Sequence, residues 1–178
     1  MLSCLVGSEM CIRDRNPIQK SAGLDVYEAP QKDHNYLITV DVARGLGNDY
    51  SAFIVFDITN FPYKAVAKYR NNEIKPMLFP SIIDDIGKAY NKAFILCEVN
   101  DIGDQVASIL NYDLEYDNLL MCSQRGRAGQ VVGAGFSGKR SQLGVRTTAA
   151  VKKLGCSNLK TLLEDDKILI IDYDIISE

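Results

Sequence analysis

Apolar and polar stretches follow one another along the chain in an order that predicts a mixed α/β fold. Two β-rich runs, YLITVDVA and SAFIVFDI, are joined by the glycine-rich turn RGLGND, and YKAVAKYRNN follows as a third strand. Glycines in so short a connection supply the positive φ angles that a tight antiparallel turn requires. This part of the chain is therefore predicted to form three antiparallel strands.

The middle of the chain predicts alternating helices and strands. KPMLFPSIIDDIGKAYN places its apolar residues at helical spacing, and DIGDQVASILNYDL is a second amphipathic helix. Between them, the continuous apolar run KAFILCEV is typical of a strand buried on both faces, and NLLMC is a further short buried strand. Three antiparallel strands, then helix, strand, helix and strand, indicate a mixed sheet flanked by helices.

The last part of the chain is rich in glycine and basic residues. SQRGRAGQVVGAGFSGKRSQLG is too long and too polar for a simple connection, so it predicts a mobile loop or a protruding hairpin. VRTTAAVKKL and SNLKTLLEDD predict helical pieces interrupted at Gly155, and KILIIDY predicts a last strand. Since DIISE only begins another element, the fold is expected to be truncated at its C-terminus.

Domain boundaries are indicated by composition. Residues 1–15, MLSCLVGSEMCIRDR, are unlike a signal peptide and share no pattern with the rest of the chain, so we interpret them as a non-native leader. Residues 16–35 are polar and contain two prolines, which predicts a linker, and residues 36–178 form one domain. No apolar run reaches the roughly 18 residues that span a bilayer, so no membrane partner is expected and the chain is predicted to be soluble.

Two carboxylates stand where apolar strands end. Asp41 closes the first strand and Glu98 closes KAFILCE. Burying an ionised carboxylate costs several kcal/mol unless a cation or dense hydrogen bonding compensates. If the two strands lie side by side in parallel, both side chains emerge at one edge of the sheet. With a single histidine, His34, in the chain, the ligands must be oxygens, which suit Mg²⁺ or Mn²⁺.

Other carboxylates have two interpretations. Asp49 lies beyond the glycine turn, where it is either a third ligand or a cap of the turn. Asp41 and Glu98 have the same alternative as turn residues, but each follows a run of apolar residues. Asp101 and Asp104 are expected at a helix start, where the helix dipole favours negative charge.

Charge is unevenly distributed behind a formal net charge of −3. Residues 118–163 contain no Asp or Glu, and their basic residues are Arg125, Arg127, Lys139, Arg140, Arg146, Lys152, Lys153 and Lys160. Such a division is typical of a chain that binds a polyanion on one face and cations on another. A solvated basic helix face is the alternative interpretation.

Several stretches together resemble one family. YLITVDVARGLGNDYSAFIVFDIT, FILCEVNDIGDQVASIL, LEYDNLL and LGCSNLKTLLEDDKILI resemble the C-terminal nuclease domain of the large terminase subunit of T-even-type tailed phages, over about residues 16–178. The resemblance implies a ribonuclease H-like fold that cuts concatemeric DNA with two metal ions, Mg²⁺ or Mn²⁺, held by three acidic residues. By position, Asp41 is the first of these and Glu98 the second. Asp49 matches a further acidic residue of the family.

The family pattern is incomplete in this chain. The third family carboxylate belongs to an Asp-Asp pair at the start of a helix after the last strand, and no residue matches it, because Asp172 and Asp174 come too early. The resemblance therefore implies a domain that lacks its last helix. The motifs of the family's ATPase domain are absent as well. The chain is expected to be a fragment that is inactive by itself if the third carboxylate is essential.

The resemblance also implies partners and a location. Double-stranded DNA would be the substrate, held through phosphates by the basic residues Arg125, Arg127, Lys139, Arg140 and Arg146. The ATPase domain, the portal and the small terminase subunit would be partners. The protein would work in the host cytoplasm, in the packaging motor at the procapsid, and would not be secreted.

Two other functions remain open on sequence grounds. One is a nucleotide-binding domain of the actin and sugar-kinase type, whose phosphate hairpin also has an early Asp and glycines. Those hairpins favour a hydroxyl close after the glycines, where this chain has Asn48 and Asp49. The other is a non-catalytic module that binds DNA or docks onto a motor.

Overall fold

The three antiparallel strands predicted from the sequence form the centre of the main sheet. The computed structural model describes residues 15–124, 129–134, 141–172 and 175. In chain order, the elements are β1 (Gln19–Ser21), β2 (Leu24–Val26), β3 (Tyr36–Asp41), β4 (Ser51–Asp57), β5 (Tyr63–Asn71), α1 (Phe79–Ala89), β6 (Phe94–Cys97), α2 (Gly103–Ser108), a π-helical turn (Ile109–Asp113), β7 (Leu120–Ser123), β8 (Val131–Ala134), β9 (Ser141–Leu143), α3 (Ala149–Glu164) and β10 (Ile168–Leu169).

Within these residues, seven strands form one mixed sheet. Its order is β1-β2-β5-β4-β3-β6, and β10 pairs with β5 off this path. β3, β4 and β5 pair antiparallel, whereas β6 lies parallel to β3 and β10 parallel to β5. The predicted ribonuclease H-like arrangement, with antiparallel strands followed by parallel ones and flanking helices, is confirmed.

The core lies between one face of this sheet and the helices. Alternate residues of β3 point inward and are buried, while α1 contributes the fully buried Phe79 and Ile83. The rings of Phe53, Tyr69 and Phe79 pack mutually, with centroids 5.1 Å apart for Phe53 and Tyr69, 6.1 Å for Phe53 and Phe79 and 5.6 Å for Tyr69 and Phe79. Burying a large apolar side chain contributes about 1.5–3 kcal/mol, so this layer fixes the helix on the sheet.

Strand β6 differs from the prediction of burial on both faces. Ile95 and Cys97 are fully buried, but Phe94 is exposed and Leu96 is only partly buried. The strand has one buried face because α1 and α2 pack on a single side of it. A continuous apolar run does not by itself reveal how many faces are covered.

The predicted linker over residues 16–35 contains two strands of the main sheet instead. β1 and β2 form a hairpin, and β2 pairs antiparallel with β5, with Val26 opposite Ala67. Ala22 and Gly23 make the turn, both at positive φ, and a side chain at Gly23 would collide with the carbonyl oxygen of Arg70. Strands of three residues are too short to show an apolar pattern, which explains why sequence reasoning missed them.

The C-terminal third also departs from the predictions. β7 forms a separate sheet, in the order β8-β7-β9, and meets the main sheet through a parallel bridge between Leu119 and Ile95. β8 and β9 therefore flank β7 and are not hairpin partners of each other. Residues 125–128 and 135–140 of the predicted loop lie outside the described residues.

Helix α3 runs without interruption through Gly155, where two pieces were predicted. Thr148 caps its start, since the hydroxyl oxygen accepts a hydrogen bond from the Val151 N–H at 3.3 Å. A glycine within a helix costs about 1 kcal/mol relative to alanine, which is too little to end a helix of this length. The last predicted strand is present as the two-residue β10.

A buried carboxylate closes β4. Asp57 Oδ2 lies 2.7 Å from His34 Nδ1, and Asp57 Oδ1 accepts a hydrogen bond of 3.0 Å from the Thr59 N–H. Burial alone would raise the pKa of the Asp57 carboxyl, but the bonds from His34 and Thr59 outweigh it and hold the pKa below its ordinary value. The ionised carboxylate therefore stabilises the fold.

We expect Asp57→Asn to lower the free energy of unfolding at neutral pH by about 1–3 kcal/mol, because it leaves the partly buried His34 and Thr59 imperfectly bonded to a buried side chain. A depressed pKa adds stability above the unfolded-state pKa of about 3.9 and loses it as the pH falls through the folded-state value. Urea unfolding of both proteins at neutral pH and near pH 3 should show the difference shrinking in acid.

The matched control is Asp117→Asn, since Asp117 is exposed and pairs with Lys92 at 3.5 Å. An exposed pair contributes little, so this variant should unfold like the wild type. A difference between Asp57→Asn and wild type that does not depend on pH would contradict the proposed role of the charge.

Candidate metal centre

The structure brings Asp41 and Glu98 together at the ends of neighbouring strands. β3 and β6 run parallel with Val40 opposite Cys97, so the next residue of each chain emerges at the same edge. The Glu98 N–H donates to the Val40 carbonyl oxygen at 2.9 Å, which extends the pairing to the carboxylates themselves. The adjacency inferred from the sequence is a direct consequence of this register.

The two carboxyl groups repel each other. Loss of hydration at the sheet edge raises the pKa of Asp41, the negative charge of Glu98 raises it further, and a hydrogen bond between the two groups adds to the effect. Asp41 is nevertheless open to solvent on one side. When both carboxyl groups are ionised, their mutual repulsion destabilises this arrangement, and a bound cation would offset the repulsion.

Backbone contacts hold Glu98 from three directions. On one side its N–H donates to the Val40 carbonyl oxygen, and on the other side Glu98 forms a parallel bridge with Val145. Behind it, α2 begins at Gly103, where a side chain would collide with the Glu98 carbonyl oxygen. Glycine is thus required for this close approach. Asn100 donates a hydrogen bond of 3.1 Å to Glu98 Oε1 and fixes the carboxylate itself.

The loop between β3 and β4 lines an open cleft of about 690 Å³ beside Asp41. Buried Ser51 closes the base of this loop: its hydroxyl accepts from the Ala43 N–H at 3.0 Å and donates to the Ala43 carbonyl at 3.3 Å. Gly45 and Gly47 have positive φ, as the turn was predicted to require.

Asp49 also lines the cleft, on the exposed part of this loop. Its negative charge makes the smallest of the contributions that raise the pKa of Asp41. The structure thus places Asp49 near the pair, and its role as a ligand stays a prediction.

An arginine that sequence reasoning missed faces the same cleft. Arg44 Nε and Nη2 each donate to one oxygen of Asp101 at 2.8 Å, a bidentate pair exposed to solvent. Hydrogen bonding to Arg44 lowers the pKa of Asp101. Asp101 was predicted at a helix start, but α2 begins two residues later, and only Asp104 lies in its first turn.

In the part of the chain that the structure describes, no third ligand is grouped with the pair. Among residues 15–124, 129–134, 141–172 and 175, no three His, Cys, Asp or Glu side chains are grouped closely enough to hold a metal ion. Asp172 is buried, and its carboxylate instead pairs with Lys68 and accepts from the Tyr27 hydroxyl. Asp174 lies outside the described residues.

The predicted DNA-binding residues can be placed only in part. Arg146 is exposed and lines a smaller cavity of about 330 Å³, whose other lining residues are Ser123, Gln124, Gly129, Gln142 and Thr148. Arg146 directly follows Val145, the bridge partner of Glu98, so the backbone of Arg146 lies one residue from that bridge. Arg125, Arg127, Lys139 and Arg140 lie outside the described part of the chain.

Cys97 adjoins the pair but is not a reactive thiol. Burial raises its pKa to about 12, and the charges of Asp41, Glu98 and Asp104 contribute. Its Sγ donates weakly to the Glu98 and Gly103 carbonyl oxygens at 3.6 and 3.8 Å. Such a thiol remains protonated and fills space in the core.

The donor set fits a hard divalent cation. Asp41 and Glu98 offer oxygen ligands only, their negative charges repel each other, and Asp41 lines an open cleft. Mg²⁺ and Mn²⁺ prefer carboxylate oxygens and commonly keep several waters, so two protein carboxylates can serve as anchors.

Comparisons with known proteins bear on the family and the fold of the chain. A family model described as the terminase RNaseH-like domain matches residues 38–177. In the described part of the chain, no helix is both long and apolar enough to cross a membrane.

Solved structures of viral nucleases have the same fold. The large terminase nuclease of thermophilic phage G20c with bound magnesium is 20% identical with a TM-score of 0.66, covering 92% of this chain and 72% of that one. The same nuclease with bound zinc is 18% identical with a TM-score of 0.65, covering 92% and 79%. The large terminase nuclease domain of Thermus phage P74-26 is 20% identical with a TM-score of 0.63, covering 92% and 70%.

We expect Glu98→Gln to lower the pKa of Asp41 in the metal-free protein and to stabilise the fold near neutral pH. A raised pKa means that ionisation of Asp41 destabilises the folded state as the pH rises, and removing the Glu98 charge reduces that cost. Carboxyl ¹³C chemical shifts followed through a pH titration measure the pKa, and thermal unfolding measures the stability.

Glu164→Gln is the control, since that exposed carboxylate pairs with Lys160 on α3. It should leave the titration of Asp41 unchanged. An Asp41 pKa that is the same in wild type and in Glu98→Gln would show that the two groups do not interact.

Proposed function

This chain belongs to the terminase RNaseH-like domain family, and from that premise we propose that it is the metal-dependent endonuclease domain of a viral terminase large subunit. It would cut concatemeric DNA during genome packaging. The observation that carries the proposal is the pairing of Asp41 with Glu98 at the ends of adjacent parallel strands. The G20c nuclease, whose fold is shared, is known with bound magnesium, which supports a divalent cation as a cofactor.

We propose two divalent cations, Mg²⁺ or Mn²⁺, as cofactors, which Asp41 and Glu98 would anchor, with Asp49 as a further ligand. When bound, they would activate a water for in-line attack on the phosphodiester and stabilise the leaving oxygen. The chain's own contribution is positional. The β3–β6 ladder sets the spacing of the carboxylates, and the Ser51 contacts hold the loop that shapes the cleft.

We propose double-stranded DNA as the substrate, held by its phosphates. Arg146 is exposed and directly follows the bridge partner of Glu98, and the other proposed contacts are Arg125, Arg127, Lys139 and Arg140. Phosphate contacts position DNA without reading its bases, so cutting would depend little on sequence. The terminase ATPase domain, the portal and the small subunit would be partners, and the site of action would be the packaging motor in the host cytoplasm.

The nucleotide-binding alternative is not supported, because the family match covers residues 38–177. The non-catalytic module remains the competing description. In the described residues no third ligand is grouped with the pair, and Asp49 would have to approach from the exposed loop, so cation binding would be weak and cutting slow. A cleavage assay therefore needs excess Mn²⁺ and long incubation.

Asp41→Asn should abolish metal-dependent cleavage and leave DNA binding intact. Loss of this ligand should remove several kcal/mol of transition-state stabilisation, which corresponds to a rate loss of about a thousandfold. Conversion of supercoiled plasmid to nicked and linear forms, with Mn²⁺ or with a chelator, measures cutting, and fluorescence anisotropy measures binding.

Asp113→Asn serves as the exposed control and should cut like the wild type. A wild-type chain that binds DNA but cuts with neither Mg²⁺ nor Mn²⁺ would favour the non-catalytic module. Retained cutting by Asp41→Asn would refute the proposed centre.

Arg146→Ala should weaken DNA binding by a similar factor for every sequence and reduce its dependence on salt. Each phosphate contact contributes about −0.9 to the slope of log K against log salt concentration, so the slope should flatten by about one unit. Anisotropy titrations at several salt concentrations measure it.

Lys92→Ala is the control for this measurement. Lys92 is an exposed cation that precedes β6, at the opposite end of that strand from Glu98. It should leave the slope unchanged. Equal effects of the two substitutions would indicate general electrostatic attraction and not a contact at Arg146.

A further inference from the structure

Asn100 links Glu98 to a separate segment of the chain. Its Nδ2 donates to Glu98 Oε1 at 3.1 Å and to the Thr147 carbonyl oxygen at 3.0 Å. Its Oδ1 accepts from the Thr147 N–H at 3.1 Å. The residue sits in the turn before α2, where its own carbonyl accepts from the Gly103 N–H at 3.0 Å.

These contacts use both N–H donors of the carboxamide and its oxygen. The orientation of the amide is determined by Thr147, because a reversed amide would set Nδ2 against the Thr147 N–H and Oδ1 against the Thr147 carbonyl. The N–H that remains can only point toward Glu98. The side chain also continues the backbone ladder in which the Val99 N–H donates to the Val145 carbonyl at 2.9 Å.

We propose that Asn100 is a positioning residue for the metal centre, which fixes the Glu98 carboxylate and the segment carrying Arg146 in one arrangement. The inference rests on the proposed function of the carboxylate pair. A bond to one lone pair of Oε1 restricts rotation of the carboxylate and leaves its other acceptor positions for a cation. Partners of this kind typically affect metal affinity by 10–100-fold.

Few side chains can replace Asn100. Aspartate would lose both donors and place a negative charge against Glu98, while alanine removes every contact. Glutamine keeps the amide but adds a methylene, so it cannot bond Glu98 and Thr147 together from this backbone position. Asn100→Gln therefore tests whether the position of the amide matters, and Asn100→Ala tests the loss of the amide itself.

The experiment measures binding of Mn²⁺ alone to the whole chain by isothermal titration calorimetry, for wild type, Asn100→Ala, Asn100→Gln and Asn118→Ala. Asn118 is the matched control, because its Nδ2 likewise donates to a backbone carbonyl, that of Lys92 at 2.6 Å, before β6 begins. We expect Mn²⁺ affinity to fall about tenfold or more in both Asn100 variants and to stay at the wild-type value in Asn118→Ala.

Hydrogen exchange separates positioning from general instability. In Asn100→Gln the Thr147 amide should lose protection, whereas the Val145 amide, bonded to the Cys97 carbonyl at 2.8 Å, should keep it. Wild-type Mn²⁺ affinity in both Asn100 variants would overturn the inference and leave the proposed function standing. A wild-type chain that binds no Mn²⁺ would overturn both.

Discussion

The parallel hydrogen-bond ladder between β3 and β6 is the constraint on which the candidate site depends. It leaves two carboxylates side by side, because the register that pairs Val40 with Cys97 also aligns the residues that come next in each strand. Their mutual repulsion is unfavourable, and apolar packing beneath the strands offsets it. The sheet therefore keeps the two negative charges close together, whereas side chains on a mobile loop would move apart to reduce the repulsion.

Much of the fold could be predicted, since the hydrophobic pattern of a long amphipathic or apolar run indicates which of its residues are buried. The three central strands and α1 are examples. The short β1–β2 hairpin, the unbroken α3 and the separate sheet around β7 could not, because their existence depends on distant partners or on energies of about 1 kcal/mol. The hydrophobic pattern of a short stretch does not predict elements of this kind.

At the site, the positions of Asp41 and Glu98 could be inferred because carboxylates that end apolar strands are unusual. Arg44 and Asn100 carried no comparable signal. The contact of Arg44 is with Asp101, and that of Asn100 is with Thr147, 47 residues away, so both arise only from the folded arrangement. Asn100 stands two residues after Glu98, a spacing too common to single it out.

The Ser51 contacts close the base of the loop that lines the cleft. Both hydrogen bonds of the hydroxyl engage Ala43, so the loop is closed at the point where it leaves β3 and enters β4. Further along, the loop is attached a second time, because the Gly47 N–H donates to the Asn72 carbonyl oxygen at 2.9 Å and Asn72 Nδ2 donates to the Gly47 carbonyl oxygen at 3.1 Å. An engineer who wished to reshape the cleft entrance would therefore work at the exposed Leu46, which lines the cleft, and keep both attachments and Asp49.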